Sequence, residues 1–467
     1  MNRQKTALLR DNTPNMPHPK TLLLFNYDWD EQGAKRLQSH WPSVVSGFDL
    51  FTFPSNARLL WFDTERFVAK AAVLAKLTGA KAVSSNHEQF GALCAALLAE
   101  KMGWPGTPVK AILACQHKLY AREVLERVAP EANLPFARLD AAYGGPVPNH
   151  IEYPQFVKPV KAAFSVLSRQ VRSEHELHAH TRFGPWELWV IKHLVEPFER
   201  VAKKRLPQAG TAHSMLLEAP MRGRQYNLDG YVWRGQVRKL GVVDEVMYPN
   251  TDAFMRFEYP SKLNDAVQDR AHDIARRFLE AVGFDHGLFN MEFFHDESSD
   301  KITVIEFNPR MASQFSDLYL RVDGIDLHEI AFALAHNMDP ATLGKTEPTS
   351  GAAASFVYRT LEQTAAVSFP NFLQRNSFWK SFPDALLFEY PKDAKELQRD
   401  FKWLRSYRYG IMHLGGENAR HLRLRCEQAS AILGWPAPYF EDAREMTADT
   451  IPDSVELFPC AQVSSPT

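Results

Sequence analysis

Long apolar runs and an excess of one charge are missing from this sequence. Lysine and arginine number 54 against 55 aspartate and glutamate, which leaves a net charge of −1. This balance provides no basic surface for nucleic acid or for an anionic membrane. No stretch approaches the roughly 18 apolar residues that a membrane helix needs. We therefore expect small-molecule partners, with neither nucleic acid nor a membrane among them.

Paired cysteines are also missing. The four cysteines are widely separated and form no CxxC pair, which argues against both a zinc site and a disulfide framework: Cys94, Cys115, Cys426 and Cys460. Residues 1–20 read as a disordered tail, because Ala7–Leu9 is too short for the apolar region of a signal peptide. The sequence therefore predicts a cytoplasmic location.

A dinucleotide-binding GxGxxG fingerprint is absent too, although residues 21–110 predict an α/β domain with a parallel sheet. Strands are predicted at 21–26, 44–53 and 59–62, and alanine-rich helices at 65–77 and 87–102. At 467 residues the chain is too long for one core, so two or three domains are expected.

Residues 111–340 predict an α+β domain with antiparallel strands. Its helices are predicted at 118–128 and 265–282, and its strands at 156–159, 214–218 and 226–233, with a hairpin after 288. After Pro340 the composition changes to small residues and then aromatics, so residues 341–467 predict a smaller C-terminal unit that serves as a substrate or lid domain.

The hairpin carries the strongest chemical signal. Two β-rich runs, 289–294 and 302–310, are joined by a polar loop; a turn centred near Ser299 places Glu292 opposite Glu306, with Asn308 on the same face. Opposed carboxylates among aromatic residues cost stability unless a cation lies between them. Magnesium, which takes oxygen ligands and bridges to phosphates, is the simplest cation. The alternative is two unrelated carboxylates on a solvent-facing hairpin.

These residues resemble the late metal motif of the ATP-grasp superfamily, in which an acidic residue is followed by Glu-x-Asn-Pro-Arg. The resemblance extends back through most of residues 111–320. It implies an ATP-grasp fold between the α/β domain and the C-terminal unit, with ATP as nucleotide and one or two Mg²⁺ ions, for which Mn²⁺ is an acceptable substitute.

The resemblance also implies roles for individual residues. Lys118 and Lys158 would contact the nucleotide phosphates, Ser165 would lie in the phosphate-covering loop, and Glu218 and Gln225 would bind adenine and ribose. Glu292, Glu306 and Asn308 would hold the metal. Arg310, at the exit of the hairpin, would orient the acceptor carboxylate.

Two positions depart from the family pattern. The phosphate loop, normally rich in glycine because the backbone must approach the phosphates closely, reads Lys-Ala-Ala-Phe-Ser-Val at 161–166. Gln225 stands where a ribose-binding glutamate is common, and an amide lacks the charge assistance of a carboxylate. Loop closure and nucleotide affinity are therefore expected to be altered.

The implied function is an ATP-dependent carboxylate–amine ligase that forms an acyl phosphate and couples it to an amine, such as an amino acid. Arg256 and Arg321 are candidates to hold a second carboxylate, with a surface ion pair as the alternative role. The competing functions are a bicarbonate-activating enzyme similar to biotin carboxylase and an inactive ATP-binding module. The sequence is compatible with a homodimer and leaves the two substrates undetermined.

Overall fold

The first domain is a small parallel α/β unit. The computed structural model describes residues 17–49, 58, 59, 61–139, 151–162, 167–363 and 366–439. The first elements are β1 (Thr21–Leu24), α1 (Asp28–Leu37), β2 (Ser43–Ser46), α2 (Thr64–Thr78), β3 (Ala82–Ser84) and α3 (Gly91–Met102). The strands are parallel in the order β2-β1-β3. All four β1 residues are buried, as the continuous apolar run predicts.

The strand predicted at 59–62 is wrong. Residues 58, 59 and 61 form a 3₁₀ turn, and the amide of Phe62 donates to the carbonyl of Leu59. Asp63 then accepts from the amide of Arg66 and caps α2. The apolar residues before this cap therefore lead into a helix, and Phe62 packs against Phe90 with ring centroids 4.5 Å apart.

The second group of elements forms a four-stranded antiparallel sheet with helices beside it. It comprises α4 (Val109–Gln116), α5 (Lys118–Val128), β4 (Phe136–Leu139), β5 (Gln155–Pro159), β6 (Arg169–Val171), α6 (Glu174–Thr181), α7 (Pro185–Arg205) and β7 (Met215–Glu218). The strand order is β4-β7-β5-β6. The helix predicted at 118–128 is confirmed, and His117 caps it by accepting from the amide of Tyr120.

A larger sheet begins with the third group. It comprises β8 (Arg224–Trp233), β9 (Gln236–Met247), β10 (Phe254–Tyr259), α8 (Asp265–Val282), β11 (Gly287–Asp296), β12 (Lys301–Asn308), α9 (Ser316–Asp323) and α10 (Leu327–Ala335). Helix α8 has the predicted bounds. Its Phe278 stacks on Phe307 of β12 with centroids 3.7 Å apart, and burying a side chain of this size stabilises the fold by about 1.5–3 kcal/mol.

The last group extends the same sheet. It comprises β13 (Ala352–Thr360), α11 (Phe372–Ser381), β14 (Leu386–Glu389), α12 (Ala394–Leu404), β15 (Tyr407–Gly416) and α13 (Ala419–Leu433). The eight strands run in the order β12-β11-β8-β9-β10-β13-β15-β14, with antiparallel pairing. This sheet continues across residue 340, and the domain boundaries drawn from the sequence stay predictions.

The predicted fold class, a parallel α/β domain followed by antiparallel α+β structure, is confirmed by these sheets. In the described part of the chain, no helix combines the length and the apolar character required to cross a bilayer.

Candidate active site

Glu292 and Glu306 lie directly opposite each other on β11 and β12, as predicted. The pairs Asp296–Lys301 and Phe293–Val304 centre the turn between Ser298 and Ser299, close to the predicted centre near Ser299. Continued without interruption, that register would place Ile305 opposite Glu292. A β-bulge next to Glu292 inserts one residue on β12 and brings the two carboxylates into line.

The bulge also directs a backbone carbonyl toward two cations. The carbonyl oxygen of Ile305 accepts from Nη2 of Arg122 at 3.3 Å and from Nζ of Lys158 at 3.3 Å. The irregularity in the hairpin therefore contributes an acceptor to the site as well as the alignment of its carboxylates.

The two opposed carboxylates have different electrostatic environments. Burial, and then the charge of Glu306, raise the pKa of Glu292. Burial also opposes ionisation of Glu306, but Lys118, which forms an ion pair with it, and Lys158 overcome this and hold the pKa of Glu306 low. The pair therefore favours one negative charge, on Glu306, until a further cation arrives.

Asn308 completes the predicted metal set. Its Nδ2 donates to Oε1 of Glu292 at 3.0 Å and to Oδ1 of Asn290 at 3.2 Å. Two carboxylates and an amide are the hard oxygen donors that Mg²⁺ or Mn²⁺ prefers, and a divalent cation between Glu292 and Glu306 would allow both carboxylates to be ionised. Within the described ranges, no group of three or more histidine, cysteine, aspartate or glutamate side chains is arranged to hold a metal ion.

A third buried carboxylate, Glu245 on β9, was missed from the sequence. Asn227 of β8 donates to it, and burial followed by the charge of Glu292 raises its pKa well above the ordinary value. Asn227 pairs with Glu292 across β8 and β11. Two adjacent carboxylates, Asp244 and Glu245, between Val243 and Val246 were the available signal, but only the strand order brings Glu245 near the hairpin.

Lys158 and Glu218 form a buried ion network with Arg122. Nζ of Lys158 lies 2.9 Å from Oε2 of Glu218, and Nε of Arg122 donates to Oε1 at 2.7 Å. Glu218 is 0% exposed and Lys158 3%, so burial lowers the pKa of Lys158. The Glu218 carboxylate therefore positions Lys158 and Arg122, while its role in binding adenine stays a prediction.

Arg310 is bound by a residue of the first domain. Its Nη2 lies 2.8 Å from Oε2 of Glu88, between β3 and α3, and Nη1 donates to the carbonyl of Met311 at 3.4 Å. Lys161 is buried beside them, its Nζ 3.4 Å from the carbonyl of Glu88, and burial lowers the pKa of Lys161 to about 8. Glu88 and Lys161 were not among the predicted site residues.

Some of these groups line one small cavity. Its polar lining comes from the first domain, from α4 and α5, from the residues after β5, and from the hairpin: Glu88, Gln116, Lys118, Lys161, Glu306 and Asn308. The structure thus brings Lys118 together with two of the predicted metal ligands. Gln225 lies on β8 two residues before Asn227, and Ser165 lies outside the described residues.

The two arginines considered for a second carboxylate are bound by protein carboxylates instead. Nε of Arg256 lies 2.6 Å from Glu258, and Arg321 lies 2.6 Å from Asp317 and 3.0 Å from Asp384. Both are buried. The ion-pair alternative therefore describes them, although the pairs are not at the surface.

Residues 151–317 match the family model of the ATP-grasp domain. The same fold occurs in the L-amino acid ligase of Bacillus licheniformis, with a TM-score of 0.64 and 14% identity over 89% of this chain and 98% of that one. It also occurs in biotin carboxylase of Campylobacter jejuni, with a TM-score of 0.57 and 15% identity over 89% and 92% of the two chains. This chain therefore contains an ATP-grasp domain, and the resemblance drawn from the sequence is confirmed.

Two curated relatives match parts of the chain. An uncharacterized protein of Sinorhizobium fredii is 24% identical over 64% of this chain and 58% of its own length. A D-alanine–D-alanine ligase of Synechococcus sp. is 27% identical over 35% of this chain and 41% of its own length. The chain thus spans less than two thirds of either relative.

Proposed function

We propose that this protein is an ATP-dependent ligase that phosphorylates a carboxylate and joins the resulting acyl phosphate to an amine, releasing ADP and phosphate. The observation that carries the proposal is the opposed pair Glu292 and Glu306, with Lys118 and Lys158 beside it, in an ATP-grasp domain. Phosphoryl transfer requires positioning and charge neutralisation more than covalent help from the protein.

The charged groups divide this work between them. Glu292, Glu306 and Asn308 would hold Mg²⁺, which neutralises charge on the transferring phosphoryl group when bound. Lys118 now pairs with Glu306 and would bind a phosphate oxygen in exchange. Lys158 keeps its ion pair with Glu218 and its hydrogen bond to the Ile305 carbonyl, which fix its ammonium group, and its third proton would be donated to a nucleotide phosphate.

Arg310 would orient the substrate carboxylate. Glu88 and the Met311 carbonyl hold two of its nitrogens, so the guanidinium plane is set before substrate binds. A guanidinium group already held in one orientation loses less conformational entropy when a carboxylate binds. Its planar N–H donors also match the planar geometry of the carboxylate. The contact with Glu88 also joins the acceptor site to the first domain.

An amino acid is the proposed amine. The Bacillus licheniformis enzyme whose fold this chain shares is an L-amino acid ligase, and the Synechococcus relative is a D-alanine–D-alanine ligase. The fold by itself does not distinguish this function from bicarbonate activation, because biotin carboxylase has it as well. The distinction depends on the fate of the acyl phosphate.

A phosphate-release screen over carboxylates and amines, with ATP and Mg²⁺, tests the proposal. Phosphate should be released rapidly only when both a carboxylate and an amine are present, and hydroxylamine should replace the amine and yield a hydroxamate. Stimulation by bicarbonate, with no hydroxamate and with carboxylation of biotin, would favour the carboxylase. Nucleotide binding with neither response would indicate an inactive module.

A further inference from the structure

Lys161 lines the same small cavity as Lys118 and two of the predicted metal ligands. It follows the end of β5, just after Lys158 in the chain, and is 3% exposed. Its Nζ lies 3.4 Å from the carbonyl oxygen of Glu88 and 5.2 Å from the centre of the Phe198 ring. The ammonium group is therefore held in the cavity wall by a neutral oxygen and an aromatic face.

The neighbouring charges of this cavity are already paired. Lys118 forms an ion pair with Glu306, and Glu88 forms one with Arg310. Lys161 forms no ion pair with a carboxylate in the part of the chain that the structure describes. A buried charge without a counter-charge is unfavourable, so an anion that enters the cavity would gain a charge-assisted hydrogen bond from Lys161.

The backbone that carries Lys161 is fixed by its neighbours. The N–H of Val160 donates to the carbonyl of Ser214 at 2.9 Å, and the carbonyl of Val160 accepts from the N–H of Lys118 at 3.1 Å. Val160 is itself buried. Lys161 is therefore held beside the first turn of α5 before any ligand binds. A donor fixed in advance stabilises a developing charge without reorganisation of the protein.

Lys161 lies next to both halves of the proposed reaction centre. The Lys118–Glu306 pair belongs to the phosphate and metal half, and the Glu88–Arg310 pair belongs to the acceptor half. The charges of both pairs act on Lys161. A phosphoryl group that moves from ATP to a carboxylate held by Arg310 therefore passes close to this ammonium group.

We propose that Lys161 donates a hydrogen bond to the phosphoryl group during its transfer from ATP to the substrate carboxylate. In this step a carboxylate oxygen bonds to the γ-phosphorus, the bond from that phosphorus to the β,γ-bridging oxygen breaks, and ADP leaves with the electron pair. Lys161 keeps its proton and neutralises charge on the phosphoryl oxygens. The inference rests on the ligase function proposed above and adds a catalytic residue to its first half-reaction.

The test separates phosphoryl transfer from nucleotide binding. The full-length protein is incubated with Mg²⁺, the carboxylate found in the screen, and ATP that carries a heavy oxygen isotope in the β,γ-bridging position. Reversible formation of the acyl phosphate moves this label to the outer β-oxygens in the absence of any amine. Hydroxylamine traps the acyl phosphate as a hydroxamate in a second assay, and calorimetry measures the affinity for ATP.

The variants separate charge from packing. Lys161→Met keeps an unbranched side chain beside the Phe198 ring and removes the charge. Lys161→Gln removes the charge with a polar side chain, and Lys161→Arg restores it. Lys204→Met is the matched control, because Lys204 is an exposed lysine on the same helix as Phe198 and pairs with Glu65.

We expect label exchange and hydroxamate formation by Lys161→Met and Lys161→Gln to fall by about 100-fold, as after loss of one donor to a developing charge. Their affinity for ATP should be unchanged. Lys161→Arg should recover part of both rates, and Lys204→Met should behave as wild type. The melting temperature of Lys161→Met should not fall, because a buried charge without a carboxylate partner is removed.

Other outcomes overturn the inference. Label exchange at the wild-type rate in either neutral variant does so and leaves the ligase function standing. A loss of ATP affinity that matches the loss of rate would make Lys161 a nucleotide-binding residue. A lower melting temperature in both neutral variants, with no recovery by Lys161→Arg, would make it a structural contact to the first domain. Absence of exchange and hydroxamate in wild type with every carboxylate overturns the ligase function as well.

Discussion

Two regions of the molecule, the hairpin of the candidate active site and the end of β13, treat buried charge differently. On the hairpin side, three cations have a protein carboxylate as partner, Lys118 with Glu306, Lys158 with Glu218, and Arg310 with Glu88, while Lys161 has the carbonyl of Glu88. On the β13 side, Arg359 has a hydroxyl partner. The three ion pairs on the first side are formed before any ligand binds, whereas Arg359 forms no ion pair with a side chain that the structure describes.

This difference indicates how the hairpin side would respond to its ligands. A metal ion adds positive charge there and a polyphosphate adds negative charge, so the lysines can exchange their carboxylate partners for phosphate oxygens with little change in the net charge of the site. The predictions below alter the balance on the hairpin side, in descending order of expected effect.

Glu306→Gln should have the largest effect. The substitution removes the carboxylate that pairs with Lys118 while keeping the side-chain volume, so turnover should fall by at least about 1,000-fold, the upper range for loss of one electrostatic stabiliser. Phosphate release measures the loss, and circular dichroism checks that the fold is intact. Release at the wild-type rate would show that Glu306 is not a metal ligand.

Arg310→Ala should separate nucleotide binding from acyl transfer. We expect ATP affinity to be retained and hydroxamate formation to fall by about 100-fold, because the substrate carboxylate loses the guanidinium group that orients it. Calorimetry with ATP and the hydroxamate assay measure the two steps. Glu88→Gln is the matched variant, since it releases Arg310 from its ion pair and should give a smaller loss. Full hydroxamate formation by Arg310→Ala would remove this arginine from the acceptor site.

Lys158→Ala should weaken ATP binding by on the order of 1–3 kcal/mol, the range for hydrogen bonds to charged groups. Calorimetry measures the affinity. Lys203→Ala serves as the control, because Lys203 is exposed and forms an ion pair with Glu199 away from the cavity. If Lys158→Ala binds ATP as wild type does, this lysine serves only to neutralise Glu218.

The smallest expected effect is the change that Asp229 makes to the pH dependence of the free energy of unfolding. Burial raises the pKa of Asp229 to about 6, against hydrogen bonds from Asn290 and Tyr319 that lower it. The folded state therefore binds a proton that the unfolded state releases, so the stabilisation is complete below pH 3.8 and is lost as the pH rises through about 6.

Asp229→Asn does not titrate, so its free energy of unfolding should improve relative to wild type between pH 4 and pH 7, by on the order of 1–3 kcal/mol. Thermal unfolding of both proteins at several pH values measures the difference. A constant difference across this range would mean that Asp229 is ionised in the folded protein throughout.

The part of the site that the sequence predicted lies within single local elements. The helices at 118–128 and 265–282 follow from apolar periodicity. The pairing of Glu292 with Glu306 follows from a hairpin whose strands are adjacent in the chain. The strand predicted at 59–62 was wrong because a short apolar run before a helix cap has the same composition as a buried strand.

Contacts between distant segments could not be predicted in this way. Periodicity shows which face of a helix or strand is buried. It does not show which other helix or strand will pack against that face. The Arg310–Glu88 pair joins residues 222 positions apart, and the Arg122–Glu218 pair joins residues 96 apart. Glu245 reaches the hairpin only through the strand order β11-β8-β9.

The sequence by itself thus determined the ATP-grasp resemblance and the opposed glutamates, because both depend on residues close together in the chain. The tertiary structure alone decided which buried charges are neutralised: it gave Arg256 and Arg321 protein carboxylates and left Arg359 with Ser406. The physical reason is that a charge is balanced by whatever lies within a few ångströms of it after folding, and that neighbour is set by the packing of the whole chain.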